Sequence, residues 1–192
     1  MSRVHRIVAA RVSHSLLVAG ALALTYAAYL VIDAHAYQAR ERRQFEEASP
    51  MAAVDTVSAD GDSIGEIDIP SVGIAVMVVQ GDSAAILQRA VGHLADTALP
   101  GERGNVVLAG HRDTFFRPLK RIRVGDAITL KTRRGDFDYV VESTIVVAPT
   151  DLGVLESRGG RTLTLITCFP FSYVGPAPSR FIVRAREADT PQ

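Results

Sequence analysis

The chain contains one cysteine, Cys168, at the end of the run Thr-Leu-Thr-Leu-Ile-Thr-Cys over residues 162–168. Pro170 follows two residues later and cannot donate to a β-ladder, so the thiol sits where a strand stops. A strand end is a rigid mount for a reactive group. A thiol becomes a useful nucleophile when a cationic neighbour lowers its pKa from about 8.5 and a proton donor or acceptor is within reach. His111 and Arg180 offer those functions. His111 follows the strand-like Asn-Val-Val-Leu-Ala of residues 105–109, and Arg180 opens Arg-Phe-Ile-Val, lying respectively 57 residues before and 12 after the cysteine. An imidazole exchanges protons near neutral pH, and a guanidinium stays charged with several donors for an anionic oxygen. The three residue types, each at a strand boundary, point to cysteine nucleophilic catalysis. The plainer alternative makes Cys168 a small buried hydrophobe, His111 a turn-bonding residue and Arg180 a surface arginine. Of the remaining histidines, His5, His14 and His35 lie in or beside an apolar N-terminal segment, and His93 reads as a turn or half-buried residue.

Short strands must carry these residues. Residues 64–69 alternate apolar and polar, and after Pro70 the run 72–79 is apolar and β-branched, which predicts two strands broken at the proline. Residues 82–91 have a capping Asp82 and helical spacing of Ala85, Ile86, Leu87, Ala90 and Val91, predicting a short helix. Strands follow at 105–109, 127–131, 137–147, 161–167 and 180–186, with a hairpin turn at 133–136. Seven or eight strands with a single clear helix predict an all-β, closed or nearly closed barrel rather than alternating βαβ units. No internal repeat is visible.

Composition bounds the rest. The chain has 192 residues, 47% apolar and 22% charged, which suits one globular domain plus an appendage. Lys plus Arg is 21 and Asp plus Glu is 21, and from Ile64 onward the balance is 15 basic to 14 acidic residues, so no field recruits nucleic acid. One cysteine excludes an intrachain disulfide and a cysteine-based zinc site.

Residues 16–32, LLVAGALALTYAAYLVI, carry no charge and follow Arg3, Arg6 and Arg11. About 20 apolar residues span a bilayer as a helix, roughly 17 being the lower limit, and cationic flanks stay cytoplasmic. We read residues 1–15 as a short cytoplasmic N-terminus and 16–32 as a single-pass signal anchor in membrane lipid. Residues 33–63 are then a helical stalk and flexible linker, and residues 64–188 the catalytic domain on the extracytoplasmic side. A cleaved secretory signal ending at Ala34-His35-Ala36 competes with the anchor, as does a buried core helix.

Thr-Leu-Ile-Thr-Cys168, with Ala-Gly-His111-Arg before it and Ser-Arg180-Phe-Ile-Val after it, resembles the sortases, membrane-anchored cysteine transpeptidases. The opening Ile64-Gly-Glu-Ile-Asp-Ile-Pro, the segment beginning at Thr97, the block Gly110-His111-Arg-Asp-Thr-Phe-Phe-Arg-Pro-Leu and Gly125-Asp-x-Ile are similar too. The extended His block and the Cys-Phe-Pro-Phe-x-Tyr-x-Gly-x-Ala-Pro run look most like class D.

The resemblance implies an eight-stranded barrel with Cys168, His111 and Arg180 in one groove. It also implies cleavage of an LPXTG-like C-terminal sorting motif on secreted proteins through a thioester on Cys168, then transfer to an amine from a cell-wall precursor or a pilin lysine. His111 would serve as acid and base, and Arg180 would bind the peptide or oxyanion. Thr167 is a candidate donor to the same groove, and Leu152, Val154 and Leu155 in the 150–160 loop are candidate contacts for an apolar peptide residue. The loop after the cysteine, with three prolines and three aromatics, reads as a groove wall. No cofactor is expected and no carboxylate cluster reads as a calcium site. No orienting carboxylate for His111 is legible, since Asp113 reads as a turn cap, and this predicts slow turnover with a bell-shaped pH profile. A membrane-tethered cysteine protease that resolves the thioester with water, and a noncatalytic peptide-binding barrel, are the alternatives.

Overall fold

A computed structural model describes residues 3–47, 59–156, 159–173 and 175–188. The chain divides into two compact units, residues 1–37 and 38–192. Helix α1 (Arg3–Glu47) runs through the first unit, and its last turns belong to the second. It is long and apolar enough to cross a membrane. Leu16, Leu17, Leu22 and Leu24 of this helix are all exposed within the first unit.

The second unit is a closed barrel of eight strands, β1 (Ser63–Ile69), β2 (Ile74–Gln80), β3 (Val91–His93), β4 (Gly104–Ala109), β5 (Ala127–Thr132), β6 (Gly135–Val147), β7 (Arg161–Phe169) and β8 (Ser179–Glu187), in the order β1-β2-β3-β4-β7-β8-β6-β5, with β5 pairing back to β1. β1 (Ser63–Ile69) and β2 (Ile74–Gln80) form an antiparallel pair whose turn is Pro70 to Gly73, as the proline break predicts. Ile67 and Ile69 of β1 and Val78 of β2 alternate inward to the core, where each fully buried aliphatic side chain contributes about 1.5–3 kcal/mol.

The helix expected over residues 82–91 shrinks to α2 (Ala84–Leu87), capped by Ser83 rather than Asp82. The chain then forms β3 (Val91–His93), parallel to β2 with Val78 opposite Val91. Gly92 permits this close approach, since a Cβ there would lie 2.2 Å from the Gly81 carbonyl oxygen. Tertiary pairing overrides the local helical pattern. His93 accordingly is not a half-buried turn residue but 1% exposed. Its Nε2 lies 2.9 Å from the Ala98 carbonyl oxygen and its Nδ1 2.9 Å from Gln80 Oε1. Burial pushes its pKa below the ordinary histidine value, against smaller upward contributions from that carbonyl and from Glu102.

β3 is only three residues long, which leaves the edge of β2 open at Ala75 and Met77. Residues 38–47 close it. Gln38 accepts from Met77 N at 2.8 Å and donates to the Arg89 carbonyl at 2.7 Å, while Arg42 donates to the Ala75 carbonyl at 3.3 Å and pairs with Glu66 at 2.7 Å. The stalk is helical as expected, and its last turns complete the sheet edge rather than standing free in solvent. Of the flexible linker expected up to residue 63, residues 48–58 lie outside the described residues, whereas Gly61 and Asp62 are hydrogen-bonded to Gln80 and Ser63 already belongs to β1.

β4 (Gly104–Ala109), β5 (Ala127–Thr132), β6 (Gly135–Val147), β7 (Arg161–Phe169) and β8 (Ser179–Glu187) match the expected strands closely. The β5–β6 hairpin turns through Arg133-Arg134, with Thr132 opposite Gly135.

Candidate active site

Three strands bring the chemistry-bearing residues together. β7 sends Leu163 and Leu165 into the core, so alternation turns Thr164, Ile166 and Cys168 to the outer face. In the antiparallel β7–β8 ladder Cys168 is the register partner of Arg180, and Ile166 is the partner of Ile182. Side chains directly opposite on one face have Cβ atoms about 4.5–5.5 Å apart. Both Cys168 and Arg180 are half-buried at the strand end. Arg180 donates through Nη1 to the Ser179 carbonyl at 3.1 Å and the Ala177 carbonyl at 3.4 Å, so its head is held by the loop preceding β8.

β4 runs parallel to β7 on the other side, with Ala109 opposite Ile166. One residue on, Gly110 N donates to the Ile166 carbonyl at 3.1 Å, and the Thr167 hydroxyl donates to the Gly110 carbonyl at 2.7 Å. His111 is therefore fixed immediately beyond the β4–β7 ladder, beside the strand end that carries Cys168, and is itself half-buried. Gly110 is required there, since a Cβ would lie 2.6 Å from the buried ring of Phe116. Thr167 is 2% exposed, on the face opposite Cys168. Its hydroxyl is committed to the backbone before His111 and not to the groove.

Phe171 and Phe181 pack against the barrel core, so aromatic contacts brace the loop after Cys168. Phe169, Phe171 and Phe181 pack with ring centroids 5.3–6.2 Å apart, each such pair adding about 0.5–1.5 kcal/mol beyond its buried area. Arg112, 7% exposed, donates to the Pro170 carbonyl at 3.2 Å and the Gly175 carbonyl at 2.9 Å and lies 5.8 Å from the Tyr173 ring centre. The residue following His111 thus clamps the loop following Cys168. In the sequence Arg112 carries no signal beyond adjacency to the histidine. Asp113 lies 3.6 Å from Arg112 Nε, so its carboxylate faces the arginine.

The 150–160 loop contains a 3₁₀ turn over Leu152–Val154. Leu152 is exposed and Leu155 half-buried beside the outer face, whereas Val154 is 6% exposed and packs inward, which removes it from the expected peptide contacts. Asn105, at 5% exposed, holds this turn. An amide at the head of an otherwise apolar strand was its sequence signal. Among the described residues no three His, Cys, Asp or Glu side chains cluster as metal ligands.

Several known proteins are similar to this chain in sequence or fold. Sortase D of Bacillus subtilis (strain 168) is 38% identical over 124 residues, covering 64% of this chain and 63% of that protein. This chain therefore spans less than two thirds of the length of that curated relative. A Clostridium perfringens sortase D5 transpeptidase superposes with a TM-score of 0.70 at 28% identity, over 81% of this chain and 98% of that one. Sortase E from Streptomyces avermitilis gives a TM-score of 0.59 at 32% identity, over 69% of this chain and 91% of that one. The Sortase domain family model matches residues 67–188, the whole barrel from the middle of β1 through the end of β8. With most of the chain inside that match, this protein belongs to the sortase family.

Proposed function

We propose that the chain is a membrane-anchored cysteine transpeptidase in which Cys168 is the nucleophile, His111 the acid and base, and Arg180 the oxyanion or peptide donor. The observation that carries this reading is the shared rung of Cys168 and Arg180 on the outer face, with His111 tied to the same strand end through Gly110. The Cys168 thiolate adds to the scissile carbonyl carbon of a sorting-motif peptide, forming the C–S bond and placing negative charge on the carbonyl oxygen. Arg180 stabilises that charge; loss of one such donor commonly costs about 100- to 1000-fold in rate. The intermediate collapses as the C–N bond breaks, and His111 gives its proton to the departing amine. The thioester is then attacked by the amine of a cell-wall precursor or pilin lysine; His111 takes the proton from that nitrogen and the thiolate leaves.

The motif is LPXTG-like on this reading. Its apolar residue lies over Ile166 and Ile145, which flank the fully buried Ile182 one rung from Arg180, with Leu152 and Leu155 at its margin. Thr167 serves as a positioning residue for His111. Helix α1 anchors the chain in the cytoplasmic membrane with the barrel on the extracytoplasmic side.

Mass spectrometry of the chain mixed with C-terminal sorting peptides tests the reading. An acyl adduct on Cys168 that an added amine such as triglycine converts to an amide product is expected, and Cys168→Ala forms none. An adduct that resolves to acid at the same rate with or without amine would make the protein a hydrolase. No adduct with any peptide would remove the catalytic reading.

A further inference from the structure

Asn105 opens the outer face of β4, where it is opposite Thr162 and six residues along β7 from Cys168. At about 3.3 Å per residue that separation is roughly 20 Å, too far for any contact with reacting atoms. Its side chain is nevertheless buried and bonded on both sides. Oδ1 accepts from the Thr164 hydroxyl at 2.9 Å and the Thr162 hydroxyl at 3.2 Å, both on β7. Nδ2 donates to the Leu155 carbonyl at 3.1 Å and the Val154 carbonyl at 3.5 Å, both in the turn of the 150–160 loop. Arg184 of β8, the register partner of Thr164, donates to the Gly153 carbonyl at 3.3 Å.

Three consecutive carbonyls of the turn are thus held from the sheet, two of them by one amide. The last carbonyls of any helical turn lack internal partners, so such a turn keeps its position only where something else supplies donors. A buried amide satisfied at both ends is expensive to move, since displacing it strands groups on β7 and on the turn together.

We infer that Asn105 is a positioning residue for substrate selection: it pins the Leu152–Leu155 turn to the strands that carry Cys168 and Arg180, and so sets the width of the apolar part of the groove. The inference rests on the proposed transpeptidase function. Its consequence is a split in kinetics. Releasing the turn loosens peptide binding and preference for the apolar position without touching the thiol, the imidazole or the guanidinium.

The test compares the whole chain with Asn105→Asp and with Thr164→Val. Asn105→Asp keeps the shape and the bonds from Thr162 and Thr164, and replaces the donor to the turn with a carboxylate oxygen that repels the Val154 and Leu155 carbonyls. Thr164→Val removes an anchor on the opposite side and is the milder change. Two readouts are taken: amide exchange of residues 151–156, and kinetics on an LPXTG-like peptide and its variant with alanine at the leucine position. Asn105→Asp is expected to speed exchange in the turn and raise KM for the leucine peptide about 10-fold, the equivalent of about 1.4 kcal/mol. The leucine-over-alanine preference should shrink by a similar factor, with kcat within about twofold and the Cys168 alkylation rate unchanged. Thr164→Val is expected to do the same to a smaller extent. Faster exchange with unchanged KM and preference, unchanged exchange in both variants, or an equal loss in kcat and kcat/KM would each overturn the inference. A wild-type chain that acylates no peptide while the turn still loosens in Asn105→Asp would instead remove the catalytic reading, and the selection role with it.

Discussion

Gly110 couples the core of the barrel to the position of His111, and adding one methyl group there puts a number on that coupling. A Cβ at residue 110 would stand 2.6, 2.8 and 3.0 Å from three atoms of the Phe116 ring, which is completely buried. Carbon atoms reach their optimum near 3.5–4.0 Å, so about 1 Å of separation must be found. Phe116 has little room to yield, because Leu119 and the rest of the core enclose it and its own N–H is bonded to the His111 carbonyl at 3.1 Å. The displacement therefore falls largely on residues 110–111, pulling them from the Ile166 carbonyl and the Thr167 hydroxyl. Overpacking of this kind costs about 1–3 kcal/mol, and at about 2–4 °C per kcal/mol for a domain of this size the melting temperature of Gly110→Ala should fall by several degrees. A shift of about 1 Å in a catalytic group costs about 100-fold in rate. The assay is turnover of a sorting peptide with an amine acceptor, measured well below the melting temperature, beside the alkylation rate of Cys168. Turnover should drop about 100-fold with alkylation nearly unchanged, and the double variant Gly110→Ala/Phe116→Leu should recover most of it. A Gly110→Ala chain with wild-type melting and turnover would refute the link between this packing contact and the histidine.

Two further outcomes concern stability. Because burial lowers the His93 pKa, the folded barrel holds the neutral ring while the unfolded chain takes up a proton below about pH 6.5. The associated stability is full above that pH and is lost as pH falls toward the depressed folded value. The melting temperature of the wild type should therefore decline faster than that of His93→Gln between pH 7.5 and 5, and parallel curves would refute the burial argument. Gln38→Ala removes the side chain that bonds Met77 N and the Arg89 carbonyl. It should cost about 1–3 kcal/mol in the detergent-solubilised chain, seen as a lower melting temperature of the barrel, whereas an unchanged transition would mean that the α1 end contributes nothing to the sheet edge.

Much of this molecule is local and therefore readable along the chain. Period-two alternation in residues 64–69 and 162–168 marks strands whose inward residues build the barrel, and the uncharged run of residues 16–32 marks the N-terminal helix, because each pattern depends only on near neighbours. The lone thiol at a strand end, with a histidine and an arginine at two other strand ends, is legible for the same reason. What joins them is not local. The pairing of Cys168 with Arg180 depends on the β7–β8 register, and a slip of one residue would turn one of the two to the other face. β3 is invisible because Val91-Gly92-His93 has weak strand propensity and exists through its parallel contact with β2. Thr167, Arg112, Asn105 and Gln38 look like ordinary polar residues until the fold brings each to backbone groups 39 to 63 positions away. Alternation and hydropathy belong to segments, so the residues alone determine the strands, the apolar helix and the reactive groups. Register, barrel closure and the burial of hydrogen-bonding side chains are properties of segments packed together, and only the tertiary structure decides them.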